Sequence, residues 1–415
     1  MNTARTGSLG VIFLTVFIDL LGFGMVLPLL PLYAQQFSAD QAGWQLGLLM
    51  ASFSFMQFFF APIWGRVSDS IGRRPVLLVG LFGSVVFYAL FGIATEAQSL
   101  VLLFVARIGA GVTGATISTA QAYIADCTTV EKRSKGMALI GMAFGLGFTL
   151  GPLFGLLAVP SGQGAPGPWP GYAAAIISAV ALLLAIFRLP ESRHEGSENA
   201  GKSILDVGGF KHAVATGSIV LVLISIFICI FSFANFETTL SMLIKGGEAA
   251  PDSPFQFEWR SICLTYAFIG VTLSLVQGGI VRRLSGRISD GAMAASGAVL
   301  EVAGFLLTLY ALQAKSVPIL FVALGVVVAG FSFMQPSLNA LLSRRSDPAR
   351  QGMILGVGQS VSSMARIVGA AVSIPMLKAD LNCPYLVAAV LMLVGLLCVL
   401  LAARGGKDYE PKSNA

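Results

Sequence analysis

Leu189–His212, LPESRHEGSENAGKSILDVGGFKH, is the longest polar interval in the chain, and its reading decides the fold. On either side the sequence turns apolar for long runs. Six lie before it, near 8–33, 44–64, 76–94, 98–125, 137–158 and 171–188, and six after it, near 213–240, 259–281, 291–312, 316–342, 352–376 and 384–403. A helix needs roughly 20 residues to cross the hydrocarbon core, and these runs supply them. They are too long and too continuously apolar for barrel strands, which alternate polar and apolar over about ten residues. The expected fold is an all-α membrane protein of twelve transmembrane helices in two pseudo-symmetric six-helix bundles. Residues 1–188 form the first bundle, 189–212 a cytoplasmic linker, 213–403 the second bundle and 404–415 a cytoplasmic tail. The first run reads as a retained span and not a cleaved signal, because it is long, carries Asp19 and lacks a small-residue cleavage site.

Composition agrees. Of 415 residues, 56% are hydrophobic and 11% charged, with mean hydropathy +0.83; soluble domains carry about 25% charged residues. Twenty-six basic and 20 acidic side chains cannot clothe a soluble globule of this size. Soluble enzymes, disordered tails and nucleic-acid binders are thereby disfavoured despite the net charge of +6. That charge is a topology signal, because Lys and Arg are retained on the cytoplasmic side. With the N-terminus inside, alternate loops hold 20 of the 26 basic residues, whereas the outer loops hold Lys245, Arg260, Lys315 and Lys378. Both termini are expected in the cytoplasm. Short loops and the lack of an Asn-x-Ser/Thr sequon point to a multi-pass protein of the cell (plasma) membrane.

The two halves echo each other. Gly65-Arg-Val-Ser-Asp-Ser-Ile-Gly72-Arg73 returns 214 residues later as Gly279-Ile-Val-Arg-Arg-Leu-Ser-Gly286-Arg287, and Lys135-Gly136-Met137 returns 216 residues on as Gln351-Gly352-Met353. Parallel repeats with a site at their midplane interface are a transporter architecture.

Several motifs then add up to a family likeness. Gly65 to Arg74, with Asp69, Gly72, Arg73 and Arg74, resembles the G-x-x-x-D-x-x-G-R-R loop of the major facilitator superfamily. Gly141, Gly145, Gly147, Gly151, Pro152 and Gly155 in the fifth span resemble the glycine-proline antiporter motif of its drug:proton exporters. Arg107-Ile-Gly109-Ala-Gly111, Asp19-Leu-Leu-Gly22 with Pro28 and Pro31, Tyr123-Ile-Ala-Asp126 and Leu189-Pro-Glu-Ser192 are also similar to the twelve-span exporters, tetracycline exporters among them. The second-half loop departs from the pattern by carrying Arg283 where the first has Asp69. The resemblance implies alternating access, the 65–74 loop as a conformational latch and the fifth span as a seal against proton leak.

The same residues can be read without it. Asp69 among Arg66, Arg73 and Arg74 can accept from arginines or from the N-terminus of a neighbouring helix, such as one starting near Gly352, and Gly72 allows a tight turn. The alternative is an ordinary solvated loop. Glycines four apart share a helix face and admit close helix approach, so simple packing also accounts for the fifth span, and Pro152 bends it. Gly109-Ala-Gly111-Val-Thr-Gly114 spells G-x-G-x-x-G, but it lies mid-span with no preceding strand, so no nucleotide site is expected. Five scattered cysteines and two histidines give no metal or disulfide spacing. Neither cofactor nor enzyme chemistry is expected.

Charges inside hydrocarbon cost roughly 2.5–3.5 kcal/mol or more each, which makes them functional candidates. Asp19, Glu237, Arg107 and Asp126 are the candidates for proton coupling. A carboxyl in oil is pulled towards its neutral form by desolvation and towards its charged form by a nearby cation. Asp19, with Arg107 as the competing cation, is the leading proton site; the alternative is a permanent structural ion pair. Asp126 also reads as a helix-end anchor beside Lys132 and Arg133. Glu301 sits on the ninth span, peripheral in this family, and reads as buried and structural. Arg107, Gly111, Gly114, Ser118 and Gln121 share a stripe taken to face a watery cavity. Gln359, Ser363 and Arg366 form another, with Gln335 and Asn339 a shorter one. Phe55, Phe59 and Phe231 are candidate cavity walls for planar cargo, against a lipid-facing alternative, and Asn235 lies beside them.

These readings converge on a monomeric proton-coupled antiporter in a lipid bilayer that exports lipophilic or amphiphilic small molecules. The alternative is a metabolite, sugar or lipid transporter, including a symporter, on the same scaffold.

Overall fold

The computed structural model describes residues 3–26, 44–128, 133–158, 167–192, 217–246, 250–346 and 351–405. Pro28, Pro31, Lys132, Arg193 and most of the 189–212 linker lie outside them. The described chain is helical throughout apart from short connections and one isolated bridge between Ser285 and Ile288. In order, the helices are α1 (Thr3–Val26), α2 (Trp44–Ile71), α3 (Arg73–Glu96), α4 (Leu100–Thr113), α5 (Ile117–Asp126), α6 (Arg133–Ala158), α7 (Trp169–Arg188), α8 (Gly217–Lys245), α9 (Trp259–Leu275), α10 (Asp290–Ala314), α11 (Val317–Arg344), α12 (Gln351–Ala379) and α13 (Cys383–Gly405). Among the described residues, eleven spans are long and apolar enough to cross a membrane, with α4 and α5 together making one of them. The 26-residue α6, with its apolar stretch Leu139–Phe154, makes the twelfth. Large hydrophobic side chains such as Val101, Phe187 and Leu275 stand exposed on the outer surface. Lipid covers such a surface, since water-soluble monomers rarely expose apolar patches of this extent.

Local chemistry sets the helix ends. Ser99 and Ser289 cap α4 and α10 by accepting from the Leu102 and Ala292 amides. The 65–74 segment, expected as a loop, is mostly helix: α2 runs on to Ile71, with the Ser68 and Ser70 hydroxyls returned to the carbonyls of Gly65 and Val67. The turn into α3 is Gly72 alone, at φ 106°, a conformation glycine adopts without strain. Its repeat partner Gly286 sits at φ 87°.

The eighth span changes winding near its end. Val276–Val281 form a π-helical stretch, followed by a single turn, Arg282–Leu284. The fourth span is interrupted too, by a 3₁₀ turn at Gly114–Thr116. There Trp64 Nε1 donates to the Val112 carbonyl (2.7 Å) and Gln57 Nε2 to that of Gly114 (3.3 Å), so α2 answers carbonyls at the break.

Two seams join helices from before and after the linker. Along α6 and α9, Gly141 faces Gln277, Gly145 faces Ser274 and Thr149 faces Gly270, near enough that a side chain at any of these glycines would collide. Along α2 and α12, Gly47 lies opposite Ala370 and Pro62 opposite Gly356, while the Ser360 hydroxyl donates to the Phe58 carbonyl (3.2 Å). The other face of α6 meets α1, where Gly147 abuts the Leu20 backbone and Gly151 abuts Gly24. The glycine track thus serves two partners at once. Pro152 is buried within α6, and the surroundings of Gly155 lie outside the described residues.

Candidate functional site

Between the seams lies a cavity of about 990 Å³ of open space, walled by residues far apart in sequence. α1 contributes Asp19, Leu20 and Phe23; α2 Phe53, Ser54 and Gln57; α3 Ser84 and Tyr88; α4 Arg107; α8 Ala234, Glu237 and Thr238; and α12 Gln359, Arg366 and Ala370. Of the anticipated residues, Asp19, Arg107, Glu237, Gln359 and Arg366 meet here.

Their pairing differs from expectation. Glu237 Oε2 lies 3.6 Å from Arg366 Nη1, an ion pair joining α8 to α12. Asp19 and Arg107 share the wall without an ion pair between them, and Tyr88 lies within electrostatic reach of both. Ser84 lines the cavity with the Asp19 carboxyl, whose Oδ1 is buried with no hydrogen-bond partner. Arg107 is 4% exposed, stacks over the Phe53 ring at 4.7 Å from its centroid and leaves Nε unanswered. Buried polar atoms are ordinarily satisfied, so this cavity holds both unanswered acceptor and unanswered donor.

A second space of about 630 Å³ adjoins it, lined by Phe144, Phe148, Phe233, Phe236, Tyr266, Gln277, Phe331 and Gln335 among others. Phe144, Glu237 and Arg366 line both.

Other expected residues lie elsewhere. Phe55 and Phe59 are 46% and 49% exposed, stacked edge-to-face on the outer surface of α2, and Phe53 faces the cavity in their place. Gly111 packs on the Phe53 backbone and the Ser118 hydroxyl donates to the Ala61 carbonyl (3.3 Å). The stripe read as a cavity wall is therefore mostly an α2 contact, because the 3₁₀ turn breaks its register; Arg107 and Gly114 alone of it reach the lining. Phe231 stacks on Phe227, and Asn235 Nδ2 donates to the Pro384 carbonyl of α13 (3.1 Å), so both look away from the cavity. Gln121 and Asn339 are half-buried outside both linings, and Ser363 is fully buried outside them with its hydroxyl unanswered. Glu301 is fully buried against Gly330, its Oε1 3.8 Å from Cys229 Sγ.

The motif residues form a cluster at the basic end of the bundle. Arg73 pairs with Asp69, reaches Asp126 Oδ2 from Nε at 3.2 Å and donates to the Ser68 hydroxyl at 2.7 Å. Asp126 thus answers Arg73 and the Ser192 hydroxyl (3.2 Å), remote from the cavity; the anticipated Lys132 falls outside the described residues, as do the side-chain surroundings of Arg133. Burial pushes its carboxyl up from the usual range, with Arg73 acting against that. Arg74 Nη2 donates to the Ile186 carbonyl at 2.6 Å. Glu191, part of the Leu189–Ser192 motif but given no role from sequence, accepts from the amides of Arg73 (2.9 Å) and Arg74 (3.0 Å) and so caps α3. The partner foreseen for Asp69 near Gly352 lies outside the described side chains.

Ser84, Tyr88, Gln57 and Gln277 were also missed. The signal was present: each is a polar side chain inside an apolar span, the criterion that singled out Gln335 and Gln359.

Twelve spans packed around an internal cavity, with charges held in its wall, are the architecture of a membrane transporter. The sequence matches the Major Facilitator Superfamily over residues 12–370. It is 31% identical to the class C tetracycline resistance protein of Escherichia coli over 359 residues, covering 86% of each chain. It is 28% identical to major facilitator superfamily domain-containing protein 10 of Mus musculus, covering 88% of this chain and 85% of that one. The fold is similar to the crystal structure of the human organic anion transporter MFSD10 (TETRAN), with TM-score 0.79 and 26% identity over 96% of this chain and all of that one. The chain belongs to the major facilitator superfamily: it is a multi-pass membrane transporter of small molecules and not an enzyme.

Proposed function

We propose that this transporter is a proton-coupled antiporter that exports lipophilic or amphiphilic small molecules by alternating access. The Asp19 carboxyl carries this reading: it stands buried in the cavity wall with Oδ1 unanswered, beside a guanidinium that does not pair with it. Such a group can take a proton when the cavity opens to one side and return it on the other, and cargo seated near Arg107 competes with the protonated state. The Glu237–Arg366 pair is the second titratable element. The tetracycline resistance relatives support drug efflux. In this reading the halves on either side of the linker rock about the cavity, and the glycine-lined seam of α6 and α9 slides without leaking protons. Both termini face the cytoplasm of a cell membrane, the 65–74 cluster is the cytoplasmic latch, and the unit is a monomer.

A drug-susceptibility panel with the protein overproduced would name a cargo class. Proteoliposomes with an imposed pH gradient then test coupling: cargo-stimulated proton flux is expected, and Asp19→Asn should abolish it. Cargo movement indifferent to the gradient, or full coupled exchange by Asp19→Asn, would reject the reading. A second reading, an organic-anion carrier, rests on the unpaired Arg107 in the cavity wall and on the likeness to human MFSD10.

A further inference from the structure

We propose that the aromatic space beside the polar cavity is a ligand site of its own, built for an uncharged planar aromatic molecule that carries a hydrogen-bond donor, such as a phenol or an aryl amide. Its walls are rings, with Phe144 and Phe148 from α6, Phe233 and Phe236 from α8, Tyr266 from α9 and Phe331 from α11. Rings on several sides favour a flat π-system by stacking and edge contacts.

Polarity narrows the class. The two charges in its wall, Glu237 and Arg366, face each other at 3.6 Å, so a charged ligand would have to split them. The Tyr266 hydroxyl is already committed to the Glu237 carbonyl at 3.3 Å. The amide of Gln277 is not committed. Gln277 is 3% exposed, projects from the π-helical stretch into the notch left by Gly141, and its Oε1 has no hydrogen-bond partner. π-Helical turns recur at functional sites because they re-aim a side chain out of the regular helical register. A buried acceptor with nothing donating to it discriminates strongly between ligands that do and do not bring a donor.

Because Gly141 comes from α6 and Gln277 from the π-helical stretch that continues α9, the site straddles the seam, and a ligand in it touches both sides of the sliding contact. The inference rests on the proposed reading only in that the cavity accepts small-molecule cargo. Binding to purified protein without any gradient tests it apart from proton coupling.

The probes are 2-naphthol, its methyl ether and 2-naphthoate, titrated against detergent-purified full-length protein by calorimetry. The naphthol should bind about tenfold more tightly than the ether, the difference expected of one buried hydrogen bond, and the naphthoate should bind more weakly than the naphthol. In Gln277→Leu, and in Gln277→Met as a second variant should the first fail to fold, naphthol and ether should bind alike. Phe331→Ala should weaken both while keeping their ratio, which places them in the aromatic space. Equal binding of naphthol and ether to the unaltered protein, a ratio that survives loss of Gln277, tighter binding of the naphthoate, or no binding of any probe would overturn the proposal. A protein that fails proton exchange but discriminates naphthol from its ether retains this site; the reverse outcome removes the site and leaves the exchange reading standing.

Discussion

Arg73 and Asp126 stand 3.2 Å apart, and the tie recurs with its signs exchanged where Asp290 meets Arg344 at 3.1 Å. Each joins the start of one helix to the end of the span that follows: α3 to α5 in one half of the repeat, α10 to α11 in the other. A second feature travels with it. Arg74 Nη2 reaches the Ile186 carbonyl at the end of α7 at 2.6 Å, and Arg345 Nη2 reaches the Ala402 carbonyl near the end of α13 at the same distance. The repeat has kept the geometry of the knot while exchanging which helix carries the cation, so the positional echo of Asp69 in Arg283 understates how alike the two ends are.

The two ties should differ in strength. Arg73 is 11% exposed and serves both Asp69 and Asp126, whereas Arg344 is 54% exposed. Removing Arg73 leaves two carboxylates facing each other without their cation, so Arg73→Ala should cost roughly 2 kcal/mol, somewhat below the ~3–5 kcal/mol of a fully buried pair. Arg344→Ala removes a solvent-screened cation and leaves Asp290, 8% exposed, in the first turn of α10 where the helix N-terminus favours a carboxylate, so it should cost about 1 kcal/mol. Unfolding midpoints of purified proteins decide it, and equal midpoint shifts for the two variants would contradict the ranking. Charge exchange at the second tie, Asp290→Arg with Arg344→Asp, should recover most of the stability lost by either single change.

Glu191 makes a separate prediction. Its carboxylate takes the amides of Arg73 and Arg74 at the first turn of α3, where helix N–H groups otherwise lack partners. Glu191→Ala should destabilise by about 0.5–2 kcal/mol and, more diagnostically, speed hydrogen exchange at those two amides while leaving the middle of α3 unchanged. Exchange spread evenly along α3 would point to global loosening and against a local cap.

Membrane topology was legible because hydrocarbon forces a simple code: about 20 apolar residues per crossing and basic residues held to one side. Asp19, Arg107, Glu237 and Arg366 were legible for the same reason, since a charge in oil is conspicuous. Partnership was not. Whether Arg107 meets Asp19 or stacks on Phe53 depends on the rotation of α4 about its axis, and a three-residue 3₁₀ turn alters that rotation without any signal in composition. The aromatic walls were illegible for a related cause. In a bilayer both faces of a helix are apolar, so Phe53 and Phe55, two residues apart, cannot be told from sequence as cavity-facing and outward-facing. Glu191 was visible within the Leu189–Ser192 motif, but its role was not, because acids near a span end are common and the cap arises from a contact 118 residues away.

The glycine track offers a test with an internal control. A side chain at Gly147 would meet the Leu20 backbone at 2.9 Å, and one at Gly24 would run into the Gly147 carbonyl. Backbone cannot step aside as a flexible side chain can. Gly147→Val should therefore destabilise by several kcal/mol, or roughly 1–3 kcal/mol if α1 shifts to admit it. Gly10, also in α1, has nothing within 4 Å of where its Cβ would stand, so Gly10→Ala should be neutral or stabilise by up to about 1 kcal/mol through helix propensity. Unfolding midpoints for the two variants should move in opposite directions or by very different amounts, and similar losses at both would refute close packing as the reason for Gly147.

Glu237 and Arg366 close the partition between the two internal spaces, and their 3.6 Å separation makes coupling between them measurable. Removing either alone leaves the other charge in a cavity wall without its counter-ion, so Glu237→Ala and Arg366→Ala should each destabilise. Removing both relieves that penalty. The double variant should lose less than the two single losses added together, by an interaction energy of about 0.5–3 kcal/mol. The arginine is 30% exposed and the glutamate 15%, so solvent screening puts the value towards the lower end of that range. Four unfolding curves supply the cycle. Losses additive within about 0.5 kcal/mol would mean that the pair is a proximity without energetic content, and the partition between the two spaces would then have to be held by Phe144 and its neighbours alone.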